Sequence, residues 1–340
     1  MKCPRDDLRC SKYNTVRHCP GCPLWQGIKE ARQRNLREPA RQSAQPWQTG
    51  YPEREGQAGQ SGVSVQPHAA KAAQTSFSAQ RQAQPSSPPY AQTPVAYTYD
   101  GSMAGFFCCV FESVVLRELP SVILPYGQGQ PMLIQTKEIL SDPDKSRRVR
   151  DSIPVRISEE ALDLIETVFL SCLEQKELRM LKFLLLAYRE GAKVLRMLGH
   201  PDVATLLDAE KHLMKEAHLL KGFVRFSDYD GVLAAHISPK NFVLPFLANH
   251  FCERFAEEEF ILYDKVHKAA LLYQNHRRSI VRLEEMPFPQ AAAVEERYRA
   301  LWKQFYQSIT IEARNNPRCR MTHMPKRYWE NMTEMAEFLE

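Results

Sequence analysis

Residues 38–93 set the first limit on what this chain can fold into. The stretch is dominated by Gln, Ala, Ser, Pro and Gly, lacks helical or strand periodicity and has few apolar anchors. Such a segment buries too little apolar surface to offset the entropy of ordering it, so it reads as a disordered linker spanning residues 36–93. Packing is thereby confined to the ~245 residues from about 94 onward, which is enough for a large core. The first 35 residues form a separate Cys-rich head.

The totals add less. A net charge of +5 and pI ≈ 8.6 are mildly basic and do not by themselves require a polyanionic partner. No apolar run reaches the roughly 18 residues of a membrane-spanning helix. The start, MKCPRDDLRC, lacks the apolar core of a secretion signal. The expected location is the cytoplasm, with no membrane partner. Thiols stay reduced there, so the nine cysteines read as thiols or metal ligands before disulfides.

Beyond residue 94 the pattern is regular. Val95, Tyr97 and Tyr99 alternate as in a short strand, and Asp100 is placed to cap a helix. Met103, Phe106, Phe107, Val110, Phe111, Val114 and Val115 fall three and four apart on one apolar face, with Cys108 and Cys109 as core-lining thiols. A short strand is expected at Met132–Ile134. Ser158 opens a helix whose first turn holds Glu159 and Glu160 and whose stripe is Leu162, Ile165, Val168 and Phe169. A helix from Glu174 to Leu198 follows, closed by Gly199, and Pro201 begins another that runs to about Leu220.

Strands are expected over Phe223–Phe226 and Gly231–Ile237, around an Asp230-Gly231 turn. After a helix from Pro239 to Phe255 come strands at Phe260–Tyr263, Ala269–Tyr273 and Ser279–Leu283, a helix over Gln290–Ile311 and a short aromatic helix near Arg327–Trp329. Helices precede clustered strands. The expected class is α+β, a helical first half followed by a mostly antiparallel sheet with packed helices.

Two features point to chemistry. Cys3, Cys10, Cys19 and Cys22 crowd into the head, and the two-residue gap of Cys19–Cys22 lets both sulfurs reach one metal. Four thiolates satisfy tetrahedral zinc or an iron–sulfur cluster, and both remain open; His18 is a substitute ligand for zinc. The spacing is not that of a ribbon with two short-gap pairs. Lys265–Leu283 and Ala313–Trp329 are basic and free of acid. They contain Arg277 and Arg278, and then Arg318, Arg320, Lys326 and Arg327, followed by Tyr328 and Trp329. Cationic heads bind phosphate and aromatic faces stack on bases, although a solvated rim with inward aromatics fits the same composition. No glycine-rich phosphate loop or nucleophile elbow is present.

The stretches YTYDGSMAGFFCCVFE (97–112), EAHLLKGFVRFSDYDGVLAAH (216–236), HFCERFAEEEFILYD (250–264) and RNNPRCRMTHMPKRYWEN (314–331) resemble, in that order, the domain of unknown function 4130 family. The resemblance spans about residues 94–335. It implies a bacterial protein of DNA repair or DNA metabolism, encoded beside a radical S-adenosylmethionine protein of DNA modification or repair. Some members of that family are fused to a uracil-DNA-glycosylase-like domain, for which the polar first hundred residues here leave no room. CPGCPLW (19–25) is faintly similar to the start of iron–sulfur uracil-DNA glycosylases, without the rest of that fold.

Within the matched blocks the expected functional residues are Tyr99, Asp100, Gly101, His218, Arg225, His250, Arg254, Asn316, Pro317, Arg318, Lys326, Arg327, Tyr328 and Trp329. Three roles follow. One is a DNA-binding accessory to the radical S-adenosylmethionine partner, using the basic and aromatic residues. Another is an enzyme acting on damaged bases, with Asp100, His218 or His250 as acid or base. The third is an adaptor tethered through its head and linker.

Overall fold

A computed structural model describes residues 91–92, 94–127, 134–286, 293–311, 314 and 316–338. The strands are β1 (Ala91–Gln92), β2 (Val95–Tyr99), β3 (Glu118–Leu119), β4 (Val122–Pro125), β5 (Gln135–Glu138), β6 (Ser227–Tyr229), β7 (Val232–Ile237), β8 (Glu259–Asp264), β9 (Ala269–Gln274) and β10 (Arg277–Arg282). The α-helices are α1 (Met103–Leu116), α2 (Pro143–Arg156), α3 (Glu159–Phe169), α4 (Lys176–Glu190), α5 (Pro201–Phe223), α6 (Leu244–Arg254), α7 (Ala293–Ser308) and α8 (Pro317–His323). Tighter 3₁₀ turns cover Gly191–Arg196, Lys326–Asn331 and Thr333–Phe338. Among the described residues no helix is long and apolar enough to cross a membrane.

The class is α+β. The larger sheet runs β10-β9-β8-β7-β6 and is antiparallel except between β7 and β8. That parallel pair needs a crossover, and α6 supplies it. The hairpins turn where positive φ is required: Asp230 and Gly231 (φ 55° and 86°) between β6 and β7, and Asn275 and His276 (φ 51° and 56°) between β9 and β10. All six β8 residues are buried, because this central strand is covered on both faces. Phe260 and Leu262 enter the main core, while Ile261 and Tyr263 join a second cluster with Val232, Ala270 and Met286. The edge strand β10 is polar, which opposes pairing with other chains.

The first half departs from expectation. It contains a parallel sheet, β4-β2-β5, in which β2 is central. The strand expected at Met132–Ile134 lies instead at Gln135–Glu138, and Met132 and Leu133 are outside the described residues. Helix α2 has no counterpart among the sequence expectations. Its buried residues are only Ser146, Val149 and Ile153, and Pro154 reads as a breaker. The apolar face of α1 ends early: Val114 and Val115 are 41% and 60% exposed. Cys108 and Cys109 are buried free thiols whose pKa values are raised by burial.

Ser102, rather than Asp100, caps α1; its Oγ accepts from the Gly105 backbone N–H at 2.9 Å. Ser158 and Pro201 open their helices as the sequence indicates. Phe223 ends α5 and is not in a strand, so β6 begins only at Ser227. One buried apolar cluster runs from Val95 to Met335 and joins both halves.

Candidate nucleic-acid interface

Helix α7 packs along the β6 edge of the larger sheet. Arg299 anchors it, donating to Glu295 Oε1 one turn earlier at 3.0 Å, to Ser227 Oγ at 2.7 Å and to the Tyr229 hydroxyl at 3.3 Å. Glu295 Oε2 accepts from the Asp228 backbone N–H at 3.2 Å. A second anchor is the buried carboxylate of Glu334, which receives the Arg225 guanidinium and, at 2.9 Å, the Trp302 indole N–H. Burial alone would raise the Glu334 carboxyl, but hydrogen bonds from Arg225 and Trp302 outweigh it and hold the group below the usual carboxylate range.

Two adjoining clefts result. One, of about 550 Å³, lies between α7, α8 and the terminal 3₁₀ turns and is lined by Lys303, Tyr306, Arg320, Lys326, Trp329 and Phe338 among others. The other, of about 500 Å³, lies against β6 and β7 and is lined by Ser227, Tyr229, His236, Lys265, Arg299 and Glu330 among others. Lys303 borders both. Of the charged side chains lining the pair, six are basic and three acidic (Glu296, Glu330 and Glu334), so the seam is cationic. Aromatic rings support two of its heads: Arg320 lies 5.5 Å from the Phe338 centroid and Lys326 lies 5.7 Å from that of Trp329.

The expected site residues divide sharply. Arg320 and Lys326 line the seam. Arg318 is exposed nearby on α8, which Asn316 caps and Pro317 begins. Arg225 reaches the seam while held by Glu334, and Arg327 pairs with the buried Glu216 at 3.0 Å. Base stacking by Tyr328 and Trp329 does not fit their placement, since they are only 4% and 5% exposed. The Tyr328 hydroxyl donates to Glu216 and the Trp329 indole to the Met324 carbonyl at 2.9 Å, so these rings build the floor.

Arg277 and Arg278 are on β10, at the opposite edge of the sheet from β6. Four strand spacings separate these edges by about 19 Å. Arg278 engages the Asn249 side chain there, and Arg254 lies over the Phe255 ring on the adjacent helix. The first basic segment is therefore split: Lys265 lines the seam, whereas Arg277 and Arg278 stand on the far edge of the sheet.

Asp100, His218 and His250 line neither cleft. Asp100 accepts from Ser102 and from Ser141 Oγ at 2.6 Å, fixing the turn between β2 and α1 together with Tyr99 and Gly101. That turn requires Gly105, where a Cβ would stand 2.2 Å from Asp100 Oδ1. His218 is exposed on α5. His250 is on α6, its imidazole held below its ordinary pKa by burial and by the charges of Lys221 and Arg254. Among the described residues no group of three or more His, Cys, Asp or Glu is arranged to hold a metal. Cys3, Cys10, Cys19 and Cys22 lie outside the described residues.

The sequence reading missed His236, Arg299 and Lys303. A signal for the last two existed: Glu295, Arg299 and Lys303 recur every four residues along α7, a polar edge distinct from its apolar stripe.

Fold and seam together define an α+β protein with a cationic cleft between a sheet edge and a helical tail. Residues 174–334 match the model of a family described as a domain of unknown function, DUF4130. The matched span holds α4 through the turn carrying Glu334 and so nearly all of the seam; the Tyr97–Glu112 block lies outside it. No curated protein and no solved structure matches the chain.

Proposed function

We propose that the chain binds the phosphate backbone of DNA along the seam centred on Lys303, as an accessory protein of DNA repair or DNA metabolism. The observation that carries this reading is the excess of basic side chains around two adjoining clefts. A cleft with an excess of one sign focuses potential and concentrates a polyanion. The heads of Arg320 and Lys326 rest on aromatic rings, which lowers the ordering cost of meeting a phosphate. The family resemblance supplies the kind of nucleic acid and the proposed radical S-adenosylmethionine partner. The placement of Asp100, His218 and His250 outside both clefts favours binding over acid–base chemistry by those residues.

Fluorescence anisotropy with labelled single-stranded and duplex oligonucleotides tests the proposal. The triple variant Lys303→Glu, Arg320→Glu, Lys326→Glu should weaken binding at least ~10-fold and flatten its salt dependence by about two to three phosphate contacts. Arg277→Glu with Arg278→Glu, on the far sheet edge, should change affinity by less than about 2-fold on the same scale. Absence of wild-type affinity at low salt, or equal losses in the two variants, refutes this assignment of the site.

A further inference from the structure

Helix α7 presents an apolar stripe that the clefts and the core leave largely unused; at its margin Trp302 gives its indole N–H to Glu334 yet stays 40% exposed. Val294, Tyr298, Leu301, Trp302, Phe305 and Ile309 are 61%, 64%, 50%, 40%, 51% and 57% exposed, and the helix has no fully buried residue. Ile309 continues the helical path, since its N–H donates to the Phe305 carbonyl at 3.1 Å. At 100° per residue the stripe lies roughly opposite Glu296, Ala300, Lys303 and Gln307, which line the clefts. Covering the stripe therefore leaves the cationic seam open.

We propose that this stripe is a homodimer interface in which α7 packs antiparallel against α7 of a second copy about a twofold axis between Leu301 and Trp302. The stripe is self-complementary about that point. Val294 falls opposite Ile309, Tyr298 opposite Phe305 and Leu301 opposite Trp302, so each apolar residue meets another. The charges fit the same axis. Glu295, Glu296, Arg297, Arg299 and Lys303 fall opposite Ser308, Gln307, Tyr306, Gln304 and Ala300, so no charged position faces another. A parallel pair in register would instead set Arg297 beside Arg297. A twofold contact requires such an isologous patch.

The area also fits. Six side chains exposed to this degree present roughly 600 Å² per copy, or about 1,200 Å² in a pair, at the lower bound of specific interfaces. An interface at that lower bound suits a reversible dimer, whose Kd is set by packing quality and not by area alone.

Sedimentation equilibrium of the full chain over roughly 1–100 µM should show a monomer–dimer equilibrium. Leu301→Glu and, separately, Phe305→Lys should shift Kd by at least ~100-fold toward monomer while leaving the circular dichroism unchanged, because both positions are half-exposed. Register is read by cysteine crosslinking above the level of the parent chain. Leu301→Cys lies next to its own copy across the axis and should crosslink, whereas Val294→Cys is about 22 Å from its copy along the helix and should not. A wild-type chain that stays monomeric, a dimer that survives both charge variants, or crosslinking at Val294 equal to that at Leu301 overturns the proposal.

Discussion

Replacing Glu216 tests how the helical tail is held beneath the seam. This carboxylate is 2% exposed and accepts five hydrogen-bonding or ionic contacts. They come from the backbone N–H groups of Lys240 and Asn241 at 3.1 and 2.9 Å, Asn241 Nδ2 at 2.6 Å, the Tyr328 hydroxyl at 3.3 Å and Arg327 at 3.0 Å. Asn241 extends the network by accepting from the Cys172 backbone N–H at 2.9 Å. One side chain on α5 thus ties the α3–α4 loop, the loop before α6 and the 3₁₀ turn bearing Tyr328.

Glu216→Ala leaves the Asn241 donors buried without an acceptor, and breaking a buried ionic network costs roughly 3–5 kcal/mol. Arg327 is 39% exposed and regains water, so the expected loss is nearer ~3 kcal/mol. Glu216→Gln keeps one acceptor and should lose ~1–2 kcal/mol, while Tyr328→Phe should lose under ~1 kcal/mol. Urea denaturation followed by circular dichroism gives the global values. Tryptophan fluorescence reports whether Trp329, one residue beyond Tyr328, is exposed first. A loss below ~1 kcal/mol for Glu216→Ala would refute the clamp.

Three further outcomes are expected. Burial, then the neighbouring charge of Glu216, pushes the Tyr328 phenol from its ordinary 10.0 up to about 12, and burial with adjacent carboxylates raises Tyr97 and Tyr99 as well. The folded state therefore holds these protons more tightly than the unfolded chain, and stability present below pH 10 is lost as pH rises from about 10 toward 12. Ultraviolet titration should show these phenols ionising together with loss of ellipticity, and early ionisation in a folded chain would contradict their burial. Deleting residues 1–93 should leave cooperative melting intact, because among the described residues the buried cluster begins at Val95; non-cooperative melting of the truncated chain would refute that boundary. Anaerobically purified full-length protein should carry zinc or iron that is lost when Cys19 and Cys22 are replaced by Ser, as measured by elemental analysis; neither metal in the wild type would remove the metal assignment.

Legibility followed the strength of each local signal. Ser158, Pro201 and the Asp230-Gly231 turn were readable because caps and turns are fixed by neighbouring backbone groups. The parallel sheet β4-β2-β5 was hidden because β4 and β5 have four residues each, too few for periodicity, and pairing in parallel is a non-local event. Charge was legible but its placement was not. Arg277 and Lys326 look equivalent along the chain, yet strand order puts one on the far edge of the sheet and the other in the cleft. The aromatic pair at 328–329 failed as a stacking surface for a related reason. A ring reads the same whether it faces a base or a core, and buried Glu216 turns Tyr328 inward.

The sequence by itself determined the α+β class and the buried stripe of helices such as the one that Ser158 opens, because these follow from contacts within a few residues. Tertiary structure alone decided that Lys303, Arg320 and Lys326 meet while Arg254 and Arg278 stand apart, and that the apolar stripe of α7 faces away from the clefts. Those outcomes depend on strand order and on buried carboxylates whose partners lie far along the chain: Glu334 is 109 residues from Arg225, and Glu216 is 112 from Tyr328. No local pattern encodes such a pairing; it forms only when the sheet edge and the helical tail are brought together.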